Sequence, residues 1–189
     1  MVVLDKFSIS NTFSKDVKGK GEYAEKDFLE YFFSNPKNDS KTLHDVREVA
    51  EYQKLDIDFV VDNEGGSVLP DIREVFSNKS RYMKIEVKYS GPALRTGKFA
   101  FEMVSHSRFG WGFNCKCDFM YVVFGEEYEK NKFKTIKRGL INFQKWIEFI
   151  RDKSNFTEVY YNNDENIIVN IMTRLTEMEQ KDVLKYINK

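Results

Sequence analysis

The stretch YMKIEVKY, residues 82–89, alternates strictly between two kinds of side chain. Lys84, Glu86 and Lys88 point one way; Met83, Ile85, Val87 and Tyr89 point the other. A period of two is that of a β-strand, so Glu86 and Lys88 stand side by side on one wall. A second stretch, LDIDFVV at residues 55–61, sets Asp58 directly ahead of an apolar run. Two neighbouring strands would bring Asp58 to Glu86. Two carboxylates and one lysine make a seat for a divalent metal and an activated water.

An E-x-K triplet alone carries little weight, because any amphipathic strand can contain one. Asp58 adds to it, since it abuts the buried FVV run; Asp56, on the same face of a strand, is nearer the turn. The helix expected over residues 22–34, ended by Asn35-Pro36, adds a third group. Ala24, Phe28, Leu29 and Phe32 form its apolar stripe, with Glu25 in the middle and Lys26, Asp27 and Glu30 on the wet side. A buried, unpaired carboxylate is costly, so Glu25 is expected to face something cationic. A salt bridge with a lysine, or fraying of the first turn, are the plainer alternatives.

A chain of 189 residues, 41% hydrophobic and 32% charged, fits one domain with a real core. Seventeen Phe and ten Tyr argue against disorder. A net charge of zero excludes a protein-wide basic field, so any polyanion is held by local patches. Cys115 and Cys117 are too few for a disulfide framework, and His44 and His106 lack zinc-finger spacing, so two reduced thiols are expected. No apolar run approaches the ~20 residues that cross a bilayer, and MVVLDKFSIS is no signal peptide. The protein is therefore expected to be cytoplasmic, with no membrane partner.

Residues 1–20 read as an irregular arm made basic by Lys15, Lys18 and Lys20. Residues 43–52 read as a near-edge strand, and 68–79 as an excursion, either a helical turn or β. Strands follow at 98–104, carrying Glu102, and at 118–124, apolar enough to be covered on both sides. Residues 105–114 read as a loop or broken helix and 126–131 as a charged turn. A helix at 143–151, strands at 159–161 and 167–172, and a closing helix at 177–188 complete the chain. The order predicts an α/β (α+β) fold with a mixed central sheet flanked by helices.

These residues resemble the PD-(D/E)XK nuclease superfamily. KGEYAEKDFLEYF, with Glu25, is similar to the K-G-x-x-x-E-R-x-L helix of archaeal junction resolvases. YQKLDIDFVV is similar to the Q-x-x-G-I-D-F hairpin of virus-borne members, with Asp56 where Gly is usual. KIEVKYS supplies Glu86 and Lys88. TGKFAFE and KCDFMYVV resemble T-G-N-x-x-x-E and K-A-D-x-x-x-Y strands of phage-type members, departing at Lys98 and Cys117. The Pro that commonly precedes the Asp is absent.

The resemblance implies a restriction-endonuclease-like core over about residues 21–124, with 125–189 as an extension of a single domain. It implies catalytic roles for Asp58, Glu86, Lys88 and Glu25. Metal ligation would fall to Asp58, Glu86, Glu25 and the carbonyl of Val87, with Mg²⁺ as cofactor and Mn²⁺ as substitute. The partner would be duplex or branched DNA, cut as by an endonuclease; cutting both strands would favour a homodimer. Lys15–Lys20, Arg95, Lys98, Arg108 and residues 132–138 would line its path. Phe109 and Trp111 would stack on a base or pack in the core, and His106 would assist proton transfer or sit on the surface. Glu102 would support the site or form a surface pair. The alternative is a catalytically inactive nuclease-fold module that binds nucleic acid or a protein.

Overall fold

In a computed structural model, residues 13–47, 49–77, 81–105, 108–163 and 166–187 are described. The chain opens with helix α1 (Phe13–Ser34), which stops where Pro36 cannot continue it. Strand β1 (Thr42–Asp45), a one-turn helix α2 (Ala50–Gln53), β2 (Phe59–Asp62) and α3 (Ile72–Ser77) lead into β3 (Tyr82–Tyr89). Next come α4 (Ala93–Thr96), β4 (Lys98–Ser105), β5 (Arg108–Phe109) and α5 (Trp111–Asn114). A long hairpin follows, β6 (Phe119–Glu129) and β7 (Lys132–Asn142), turning at Asn131, whose φ of 60° a type of tight turn requires. The chain ends with α6 (Phe143–Phe149), β8 (Phe156–Asn163), β9 (Asn166–Arg174), α7 (Leu175–Gln180) and β10 (Leu184–Ile187).

The strands form two sheets. A six-stranded sheet has the order β1-β2-β3-β6-β7-β10, and a four-stranded sheet the order β5-β4-β9-β8. The larger sheet is mixed: β3 and β6 are parallel and its other neighbours antiparallel. The period-two expectation for residues 82–89 therefore holds, and so does a mixed central sheet flanked by helices. Helix α1 covers one face, packing Ala24, Phe28 and Phe32 on Phe59, Ile85, Val87, Tyr121 and Val123. The smaller sheet, α6 and α7 cover the other face, where Phe99, Phe101 and Trp146 meet Met120, Val122 and Phe124. A third cluster, around Tyr52, Val60, Val75 and Tyr82, lies under α2 and α3. Among the described residues no helix is long and apolar enough to cross a membrane.

Several expectations are corrected. Residues 13–20 belong to α1, not to an irregular arm. The strand expected over 43–52 ends at Asp45, and Ala50–Gln53 is helical. Residues 126–129 extend β6, so the charged turn is shorter than expected. The closing helix over 177–188 breaks at Asp182, whose φ is 57°, and Leu184–Ile187 pairs with β7 as an edge strand. A short polar strand and a short helix share a composition, and only pairing with β7 separates them.

Asp27 is the largest correction on α1. It is buried, 7% exposed, and accepts from Tyr121 Oη (2.7 Å), Thr135 Oγ1 (2.9 Å) and both Nε and Nη2 of Arg138 (2.7 Å each). At 100° per residue, Glu25 and Asp27 lie roughly 80° to either side of the Ala24–Phe28 line. A helix lying on a broad sheet reaches it with both flanks, so each carboxylate meets an arginine. Removing one partner of a buried ion pair leaves the other charged and unmatched. Asp27→Ala is expected to cost about 3–5 kcal/mol in denaturant unfolding, and Asp27→Asn less, because the amide oxygen can still accept from one of Tyr121 and Thr135.

Candidate active site

The site forms where β2 stops pairing with β3. Their ladder runs from Asp62 opposite Tyr82 to Phe59 opposite Ile85. Asp58 continues it by other means. Its N–H donates to the Ile85 carbonyl (3.1 Å), and its Oδ2 accepts from the Val87 N–H (2.7 Å). Its own carbonyl accepts from Val46 N (3.2 Å), tying in the segment after β1. Asp56, two residues earlier, has φ of 46°, so the chain turns away there and is not a strand. Within β3, Ile85 and Val87 turn their backbone groups to the β2 side. The carbonyl of Val87 therefore lies on the same edge as its N–H, beyond the end of β2.

Glu86 and Lys88 lie on the other face of β3, beneath the smaller sheet. Glu86 is buried, 3% exposed, and one of its oxygens is ion-paired with Lys88 Nζ. The other, Oε2, is buried with no hydrogen-bond partner. Burial pushes the Glu86 carboxyl well above its ordinary value; Lys88 opposes that shift and Asp58 adds to it. For Lys88, burial pulls the ammonium down, but the Glu86 carboxylate outweighs it and holds the group above its usual range. Lys88 Nζ also sits 4.9 Å from the centre of the Trp111 ring. Burial likewise raises Asp56, which feels both Lys88 and Asp58.

Asp58, Glu86 and Lys88 thus share one electrostatic neighbourhood. Glu25 has a different partner: it pairs with Arg47, which also grips Asp45 through Nε (3.0 Å) and Nη2 (2.7 Å). Arg47 stacks over Phe59 at 5.2 Å and so belongs to the α1 side of the sheet. Among the described residues no three His, Cys, Asp or Glu side chains form a metal-ligating group. Asp58 and Glu86 bring two carboxylates into this neighbourhood, and carboxylate oxygens are hard ligands.

Cys115 and Cys117 are free thiols buried beside the site, their sulfurs 3.1 Å apart, and Cys115 also donates to the Asp56 carbonyl (3.4 Å). The hydrogen bond with Cys117 lowers the Cys115 thiol, and burial pushes Cys117 well up. Neither thiol's nearness to Glu86 was foreseeable, because it depends on the chain between the two sheets. Of the basic residues expected along a DNA path, Arg138 is instead consumed by Asp27, and Lys132 pairs with Glu129. Arg95 and Arg108 are exposed. His106 and the side chains of Lys15 and Lys18 lie outside the described residues.

No family model matches this chain, and comparison with curated proteins and with solved structures gives no match either.

Two measurements check this geometry without reference to activity. In Asp58→Ala the Val87 amide loses its acceptor, so its hydrogen exchange should quicken by about tenfold or more, with the amides of Val122 and Val123 unchanged. The second concerns pH. Glu86 has a folded pKa above its ordinary 4.5, so the stability it contributes is full below about 4.5 and is lost as pH rises through the folded value. Lys88→Met removes the cation that restrains this shift. Its stability, from urea unfolding across pH 4–8, should therefore fall more steeply with rising pH than that of the wild type. Parallel curves would show that the two groups are not coupled.

Proposed function

We propose that this chain is a divalent-cation-dependent nuclease that hydrolyses DNA phosphodiester bonds, built on a restriction-endonuclease-like core of the PD-(D/E)XK kind. The observation that carries the reading is Glu86 Oε2. A buried carboxylate oxygen without a partner is unfavourable unless something cationic completes it. Asp58, Glu86 and the Val87 carbonyl are the donors suited to Mg²⁺ or Mn²⁺. A bound divalent ion supplies charge neutralisation at the phosphate and a water of lowered pKa.

The chain's own residues divide the remaining work. The Val87 N–H holds Oδ2 of Asp58 and so fixes the carboxylate's orientation while its other oxygen stays available. Glu86 keeps Lys88 protonated in a buried setting. A charged Lys88 beside the scissile phosphate steadies the negative charge that grows there during in-line attack. Glu25 takes part only if it exchanges Arg47 for the cation, so its contribution is the smallest of the four. DNA, as duplex or branched substrate, is the proposed partner.

Supercoiled and linear DNA incubated with Mg²⁺ test the reading. The wild type should cleave, and Lys88→Ala, Asp58→Ala and Glu86→Gln should each lose about a hundredfold or more in rate, while Glu25→Gln loses less. Wild-type binding without cleavage would instead favour an inactive module of the same fold. Cleavage that survives Lys88→Ala and Asp58→Ala together would sink the assignment of this site.

A further inference from the structure

We infer that Phe109 and Phe113 form a stacking platform for an unpaired nucleobase of the nucleic acid bound beside Lys88; this inference rests on the nuclease reading above. The two rings lie nearly parallel, 4.3 Å between centroids and 11° between planes. They are also exposed, at 65% and 52%. Two large aromatic rings stacked on each other in water withhold apolar area that folding would otherwise bury.

The setting of the rings is fixed by the backbone beneath them. Gly110 N donates to the Met103 carbonyl (2.9 Å), and Asn114 Nδ2 donates to the Phe109 carbonyl (3.0 Å). The turn of α5 adds a bond from Phe113 N to the Gly110 carbonyl (3.1 Å). Gly110 approaches β4 so closely that a Cβ there would lie 2.5 Å from the Glu102 carbonyl oxygen. The rings are therefore presented by a braced turn. Rigid aromatic area with few rotors is what a stacking surface needs, because little entropy is lost when a base arrives.

The platform's place in the molecule names its occupant. Trp111, between the two phenylalanines in sequence, packs inward on Phe101 (5.5 Å) and covers Lys88 (4.9 Å). One short segment thus carries both the lid over the candidate catalytic lysine and the exposed ring pair. Arg108, exposed and adjacent in sequence, suits the phosphate that follows a base. In a continuous duplex both faces of each base are already stacked. Only a single strand, a branch or a frayed end offers a free face. The substrate class that follows is nucleic acid with unpaired bases next to the scissile phosphate.

The test uses a fluorescein-labelled single-stranded DNA oligonucleotide, its blunt duplex and the RNA of the same sequence, each bound in Ca²⁺ and read by anisotropy. Wild type should bind the single strand more tightly than the duplex. Phe109→Ala with Phe113→Ala should weaken single-strand binding by about tenfold or more and duplex binding by less than about twofold. The RNA arm reports whether the sugar is read. Should circular dichroism show the double variant unfolded, Phe109→Leu with Phe113→Leu replaces it, keeping apolar bulk while removing the rings. Equal losses on both DNAs, no loss on either, or no wild-type binding would overturn the platform. So would a wild-type dimer that the double variant turns into monomer with DNA binding intact, which would assign this face to a second copy of the chain. Cleavage in Mg²⁺ separates the two readings. Wild-type cleavage with no single-strand preference leaves the nuclease and removes the platform. A ring-dependent preference without cleavage does the reverse.

Discussion

Strand β3 is covered on both faces and yet carries Lys84, Glu86 and Lys88, and the rest of the site answers that constraint. A charge taken out of water must be matched or it neutralises itself. Lys84 is matched by Asp118, whose Oδ2 lies 3.0 Å from its Nζ and also accepts from its backbone N–H (2.9 Å). Asp118 stands at the head of β6, so this pair also helps register the parallel β3–β6 joint at the centre of the sheet. Glu86 and Lys88 match each other, but a carboxylate has more acceptor sites than one ammonium occupies. The surplus is Oε2 of Glu86. Structure explains two of the three charges completely and leaves a single acceptor over, next to Asp58.

Helix α1 obeys the same rule on its own scale. Asp27 and Glu25 face opposite flanks, and each is met by an arginine from a different part of the sheet: Arg138 from β7 and Arg47 from the turn after β1. The Asp27 cluster is the more buried, and it closes with a tyrosine and a threonine as well, so it anchors the helix over β6 and β7. Glu25 lies nearer solvent and nearer the segment that holds the Asp58 carbonyl. A change at Arg47 would therefore reach the site through Val46 rather than through any contact of Glu25 itself.

What could be read beforehand follows from period and context. Residues 82–89 were legible because a strict two-residue alternation survives burial on both faces: the apolar set meets α1 and the polar set meets its own partners. The strand at residues 118–124 was legible as a nearly continuous apolar run, though β6 runs on to Glu129. The placement of Asp58 beside β3 was legible from its position against FVV, and its hydrogen bond to Val87 N supplies a reason for that placement which spacing alone does not contain. Asp27 was misplaced because a 100° stripe understates how much of a helix a flat sheet can touch. The strand at 184–187 was misplaced because its pairing with β7 lies over forty residues away in sequence. The smaller sheet was not foreseen as a separate layer, and with it went the position of Cys115 and Trp111, which depend on how that layer sits.

The balance of charge also bears on how such a molecule could hold a polyanion. Thirty basic residues face thirty acidic ones. Several of the basic side chains are already engaged: Lys84 by Asp118, Arg81 by Asp62, Arg47 by Glu25 and Asp45, Arg138 by Asp27. With no net charge there is no protein-wide basic field to displace counterions from a phosphate backbone, so a steep dependence of affinity on salt is not to be expected from overall charge. Binding would have to draw on contacts that salt does not screen. Exposed rings beside the site would provide such contacts, and a divalent cation held by Asp58 and Glu86 would supply a charge that the side chains lack. On the proposed reading, a molecule with no net charge would select its substrate by the shape and stacking of the strand near the cut rather than by attraction at a distance.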